Sequence, residues 1–184
     1  MEVILAEHAG FCFGVQRAVD TVYEQIAGRE KEGRRIYTFG PIIHNEEVVD
    51  DLQRRGVCVI DSLADAEKLP EGERGTVIIR SHGVEKAVCE SLKVLGYEVV
   101  DATCPFVKRI HNIVEKESAS GKSIVIVGNA GHPEVEGIRG WSAAATYIVE
   151  SVEEAKNLVY GQEEELCIVS QTTFNYKKFQ DVVE

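Results

Sequence analysis

The stretch RIYTFGPIIHNEEVVDDLQRRGVCVI, residues 35–60, reads as strand, corner, helix and strand. Arg35–Phe39 and Val57–Ile60 are short runs without polar alternation, as expected of strands buried on both faces of a parallel sheet. Between them HNEEVVDDLQRRG carries acids in its first turn, arginines in its last and a terminal Gly, the charge order a helix dipole favours. The pattern continues in both directions. Further strands are expected at Val3–Ala6, Thr76–Arg80, Tyr97–Asp101, Ser123–Gly128, Tyr147–Glu150 and Leu166–Ser170. GVQRAVDTVYEQIAG places Val15, Ala18, Val19, Val22 and Ile26 on one stripe, and VEKAVCESLKVLG and FVKRIHNIVEKESASG end on a glycine in the same way. Ser62–Gly75 and Gly161–Glu165 read as polar connections. Alternation of this kind predicts an α/β fold with mostly parallel sheets.

Composition narrows the function classes. The 184 residues are 44% hydrophobic and 28% charged, an ordinary globular mix, with a net charge of −11. That balance argues against non-specific nucleic-acid binding, which depends on Lys and Arg neutralising phosphates. No apolar run approaches the ~18 residues of a membrane span, and MEVILAEHAG lacks the basic start of a signal peptide. Five scattered cysteines are no disulfide framework, so reduced thiols in the cytoplasm are expected. Phosphate-loop, dinucleotide-binding and nucleophile-elbow motifs are all missing.

The chain also repeats itself. CFGVQRA at Cys12 and CPFVKRI at Cys104 share C-x-x-V-x-R at a separation of 92 residues. Gly40, His44 and Glu46 match Gly128, His132 and Glu134, each 88 residues on, and His82 precedes Thr172 by 90. Three pairs in one order at nearly equal spacing point to duplication. Two α/β units follow, 1–102 and 103–184, the second repeating the first. The carboxyl ends of parallel strands are where ligands bind, so the Cys, His and Glu sets should face one shared region.

Each repeated position has a chemistry. Cys12 and Cys104 precede helices, whose N-termini favour thiolates, and thiolates suit iron–sulfur clusters or zinc. Cys58, Cys89 and Cys167 lie inside predicted elements without repeat partners and read as small buried hydrophobes. His44, His82 and His132 sit at strand-to-helix corners, where backbone amides and an imidazole together suit a phosphate. Helix capping is the ordinary alternative for each of them. His8 and His111 lack such company and read as structural. Glu134 is a candidate proton donor in a desolvated pocket, whereas its mate Glu46 suits the dipole of its helix. Thr172 and Thr173 offer hydroxyls to a ligand or a helix cap.

The set GFCFGVQRAVD, GPIIHNEEVVDDL, SHGV, DATCP, AGHPEVEG and SQTTF resembles the 4-hydroxy-3-methylbut-2-enyl diphosphate reductase (IspH/LytB) family, in order and across essentially the whole chain. The resemblance implies a [4Fe–4S] enzyme ending the non-mevalonate isoprenoid pathway. Such an enzyme removes an allylic hydroxyl to give isopentenyl and dimethylallyl diphosphates, with a ferredoxin or flavodoxin as electron donor. It implies Cys12 and Cys104 as cluster ligands, His44 and His82 as diphosphate ligands, and His132 and Thr172 at the substrate hydroxyl, with Glu134 as proton donor. It further implies three units related by a pseudo-threefold axis, with a third cysteine that the repeat would put about position 196, beyond Glu184. The chain thus reads as the amino-terminal two-thirds of such a protein, with its opening strand, 1–13, belonging to the third unit. The competing readings are a diphosphate-binding remnant without a cluster and a zinc-dependent hydrolase.

Overall fold

The computed structural model describes residues 3–7, 9–161 and 163–184, the side chains of 29–32 excepted. Helix α1 (Phe13–Glu32) is followed by β1 (Ile36–Phe39), α2 (Glu46–Arg54), β2 (Val57–Ile60), α3 (Leu63–Lys68), β3 (Thr76–Ile79), α4 (Lys86–Val94) and β4 (Glu98–Asp101). The second half runs α5 (Pro105–Ala119), β5 (Ser123–Val127), α6 (Pro133–Arg139), β6 (Thr146–Val149), α7 (Val152–Lys156), β7 (Leu166–Ser170) and α8 (Tyr176–Val183).

Every strand pairing is parallel, in a four-stranded sheet of order β2-β1-β3-β4 and a three-stranded sheet of order β6-β5-β7. The central strand of each three-strand core is the first of its unit, so the sequence repeat is also a repeat of topology. Its details recur. The Gly40 amide donates to the Ile60 carbonyl at 2.8 Å, and that of Gly128 to Val149 at 3.0 Å. Ser62 and Ser151 cap α3 and α7 alike, each hydroxyl accepting from the amide three residues on at 3.2 Å.

Both faces of each sheet are covered, which is why the strands are apolar throughout. Ala18, Val19 and Val22 of α1, with Leu52 of α2, close one face of the first sheet on Ile36, Val57 and Ile78. This is the stripe anticipated for α1, its outer members Val15 and Ile26 being partly buried. Ala66 of α3 and Leu92 of α4 close the other face on Tyr37, Val77 and Ile79. In the second sheet, α5 and α6 cover Ile124 and Ile126, while α7 and α8 cover Val125 and Val127.

Three expectations need correction. Val3–Ala6 forms no strand, and Val3, Ile4 and Leu5 are each more than 80% exposed: the segment meets no strand edge among the described residues, and strands are held by pairing. Ser62–Gly75 is no mere connection, since it holds α3 and a 3₁₀ turn at Glu71–Glu73. The Ser62-x-x-Asp65 cap was the signal for it. Cys58 is exposed, because it lies on the outer strand β2, and Cys89 and Cys167 are only partly covered. His8 lies outside the described residues.

Candidate active site at the strand ends

The corners that follow the parallel strands converge. Ser81, beyond β3, donates its amide to the Ile42 carbonyl at 3.2 Å and accepts from the Cys104 amide at 2.8 Å. The His44 corner, the His82 corner and Cys104 are therefore joined through backbone.

Three imidazoles form a row there. The His44 and His82 rings are 5.0 Å apart between centroids, and His82 meets His132 edge-on at 5.3 Å. Burial holds the His82 pKa down at about 4, with further depression from His44, His132 and Arg80 in that order. His82 is thus a neutral donor–acceptor at physiological pH. His132 is also the N-cap of α6, its Nδ1 accepting from the Glu134 amide at 3.1 Å, and Pro133 fills the first helical position. The capping role and membership of the row coexist.

Glu134 is 1% exposed. Its carboxylate accepts from the Thr172 amide at 2.5 Å and from the Thr172 hydroxyl at 2.9 Å. Its repeat mate Glu46 is exposed in the first turn of α2, so the repeat holds for the backbone and not for the role of the side chain. Gln171 supports the Thr172 corner: its side chain accepts from the Asn129 amide at 3.3 Å and donates to the Thr173 hydroxyl at 2.9 Å. Sequence reasoning passed over Gln171, although its place directly before Thr172 was the available signal.

The segment that follows Cys12 is brought onto Cys104. A side chain at Gly14, two residues after Cys12, would collide with the Cys104 sulfur, so glycine is what lets the start of α1 lie on Cys104. Arg17, in the same repeat motif, donates to the Thr103 carbonyl at 3.0 Å and fixes that approach. Cys12 is exposed and Cys104 partly so. Two soft donors in adjoining segments suit a thiolate-held cluster in part. No group of three or more His, Cys, Asp or Glu able to hold a metal ion occurs among the described residues.

The second unit also braces the His82 corner. Gly83 has φ +71°, and a Cβ there would lie 2.6 Å from His111 Cε1. His111 is buried and stacks on Trp141 at 5.0 Å and 18°, while the Trp141 indole N–H donates to the Val84 carbonyl at 2.9 Å. Burial pushes the His111 pKa down to about 4. Its expected structural place is thereby specified: it is the wall behind Gly83.

Two parallel sheets of matching topology, with a row of imidazoles and a buried carboxylate at the strand ends, define an α/β protein of repeated architecture. The LytB protein family matches residues 3–184, and the chain belongs to that family. A relative from Caldanaerobacter subterraneus subsp. tengcongensis named 4-hydroxy-3-methylbut-2-enyl diphosphate reductase is 50% identical over the whole chain. One of the same name from Geobacter sp. strain M21 is 43% identical. The chain spans 62% and 61% of the lengths of these two proteins. The solved structure of the corresponding reductase from Plasmodium falciparum superposes with a TM-score of 0.84 at 30% identity, covering 96% of this chain and 53% of that one. A second, described as the terminal enzyme of the non-mevalonate pathway, gives 0.81 at 40% identity, covering 98% and 62%.

Proposed function

We propose that this chain supplies the diphosphate-binding and proton-donating part of a 4-hydroxy-3-methylbut-2-enyl diphosphate reductase. The observation that carries the reading is the row His44–His82–His132 running directly into the Glu134–Thr172 pair. In this proposal His44 and His82 bind the diphosphate, their ring N–H groups donating hydrogen bonds to its oxygens. His132 and Thr172 hold the substrate's hydroxyl end. Glu134 donates the proton with which the allylic hydroxyl leaves as water. The balance is two electrons and two protons per substrate: one C–O bond breaks, one C–H bond forms at either allylic end, and one water is released. Cys12 and Cys104 would be two of the ligands of a [4Fe–4S] cluster, which supplies the electrons when bound, drawn from a small ferredoxin or flavodoxin.

All five cysteines are free thiols, as a reducing cytoplasm would require. No described helix is long and apolar enough to cross a membrane.

The test is turnover of 4-hydroxy-3-methylbut-2-enyl diphosphate by a version extended to the length of the relatives, with an artificial reductant after anaerobic reconstitution. Iron and sulfide analysis of the 184-residue chain beside it separates the readings. The chain alone should hold a cluster poorly, since thiolates hold iron far better than water does and this proposal gives it only two of them, Cys12 and Cys104. Tight zinc with no iron uptake would favour the hydrolase. Binding of diphosphate by the extended protein without any iron would favour the remnant.

A further inference from the structure

The strand ends hold one cation whose role the histidine row does not explain. Arg80 directly follows β3, two residues before His82. Its guanidinium is partly buried, its Nε is buried without a hydrogen-bond partner, and no carboxylate lies within ion-pair distance of it among the described residues. Burial lowers its pKa, and the one opposing charge is Glu136 of α6, an exposed residue. Desolvating a cation without a counter-ion is costly, and folds retain such a group where an anion completes it. The backbone makes room for it: Gly40 has φ +67°, and a Cβ there would lie 2.7 Å from Arg80 Nη1. Arg80 therefore spans from the Gly40–His44 corner to the His82 corner, facing the helix that His132 caps.

We propose that Arg80 is a further anion-binding residue of this site, the permanent positive charge that balances the phosphates received by the histidine row. The proposal rests on the diphosphate reading above. The neutral His82 ring can orient a diphosphate by hydrogen bonds, yet it brings no charge to balance that of the phosphates. A guanidinium supplies that charge at any pH, with a planar fork suited to phosphate oxygens.

Inorganic pyrophosphate is the probe, titrated calorimetrically into the 184-residue chain at pH 8, above the ordinary imidazole range, at low and high salt. Arg80→Met should bind it at least about tenfold more weakly, and Arg80→Lys should recover much of the loss. The salt dependence of affinity should be shallower in Arg80→Met, because a screened charge has gone; a purely packing role would leave that slope unchanged. Glu136→Gln, at an exposed position where folding is not at risk, should bind pyrophosphate more tightly than the parent. An Arg80→Met affinity within twofold of the parent, or an unchanged salt slope with no gain in Glu136→Gln, overturns the assignment of Arg80. Failure of the parent chain itself to bind pyrophosphate overturns the diphosphate reading and this one with it.

Discussion

Thr172 grips Glu134 at both oxygens, its amide on one and its hydroxyl on the other. The two residues come from different corners of the second unit, one after β5 and one after β7, yet they behave as a single element. Because Thr172 can turn its hydroxyl, Glu134→Gln keeps both contacts: the amide oxygen accepts from the backbone N–H and the amide nitrogen donates to the hydroxyl. The variant should fold with near-parental thermal stability. If Glu134 is the proposed acid, turnover by the extended protein should fall in this variant by at least about two orders of magnitude, the usual worth of a positioned acid. Glu46→Gln should be far milder. Equal losses in the two variants, read from steady-state rates, would remove Glu134 as the acid.

Gly14 and Gly28 lie on the same helix and should respond oppositely to alanine. At Gly14 the added methyl meets the Cys104 sulfur, so either α1 or the Cys104 side chain must shift, and iron uptake on anaerobic reconstitution of the extended protein should drop. At Gly28 nothing lies within 4 Å of the added atom, and alanine should stabilise the helix by up to about 1 kcal/mol. Iron content and thermal melts check the two arms. Unchanged iron in Gly14→Ala would mean that the approach of α1 to Cys104 does not matter to the thiols.

Acid should destabilise the fold through two histidines. His82 and His111 both have pKa values near 4 in the fold, below the ordinary imidazole value of 6.5. For a group depressed on folding, the unfolded chain binds more protons between the two values. Stability is thus fully present above about pH 6.5 and is lost progressively as pH falls toward about 4. His111→Phe keeps a ring on Trp141 while removing the titration. Its melting temperature should fall less between pH 7 and pH 4.5 than that of the parent. Parallel pH profiles for the two proteins would assign the acid sensitivity elsewhere.

Trp141→Phe tests the brace behind His82. It deletes the N–H held by the Val84 carbonyl while retaining an aromatic face for His111, so stability should fall by about 1 kcal/mol. The His82 Nε and Cε proton signals should broaden or shift in NMR spectra if the corner loosens with it. A sharp, unshifted His82 spectrum would show that the corner holds without the indole.

Much of this was legible in the sequence because parallel sheets write themselves plainly: buried on both faces, their strands are unbroken apolar runs, and seven of the eight expected ones stand where predicted to within one residue at either end. The exception, Val3–Ala6, has strand composition without a neighbour, and pairing is not written in a strand's own residues. The histidine corners were readable from the repeat. The brace was not. His111 looks like any residue on a helix, and Trp141 follows a glycine after α6; only packing between the units reveals that both bear on Gly83 and Val84. Gly14 likewise resembles a helix-start residue until Cys104 is seen beside it.

The backbone links Ile42–Ser81–Cys104 have a consequence for the protein's motions. The amide protons of Ser81 and Cys104 are each locked to a neighbouring corner, so neither can meet solvent until two corners part. Hydrogen exchange at these two sites should therefore be slow and governed by one shared opening event. A phosphate analogue that tightens the histidine corners should slow exchange at the cysteine as well, because the imidazole end and the thiol end ride on the same rail.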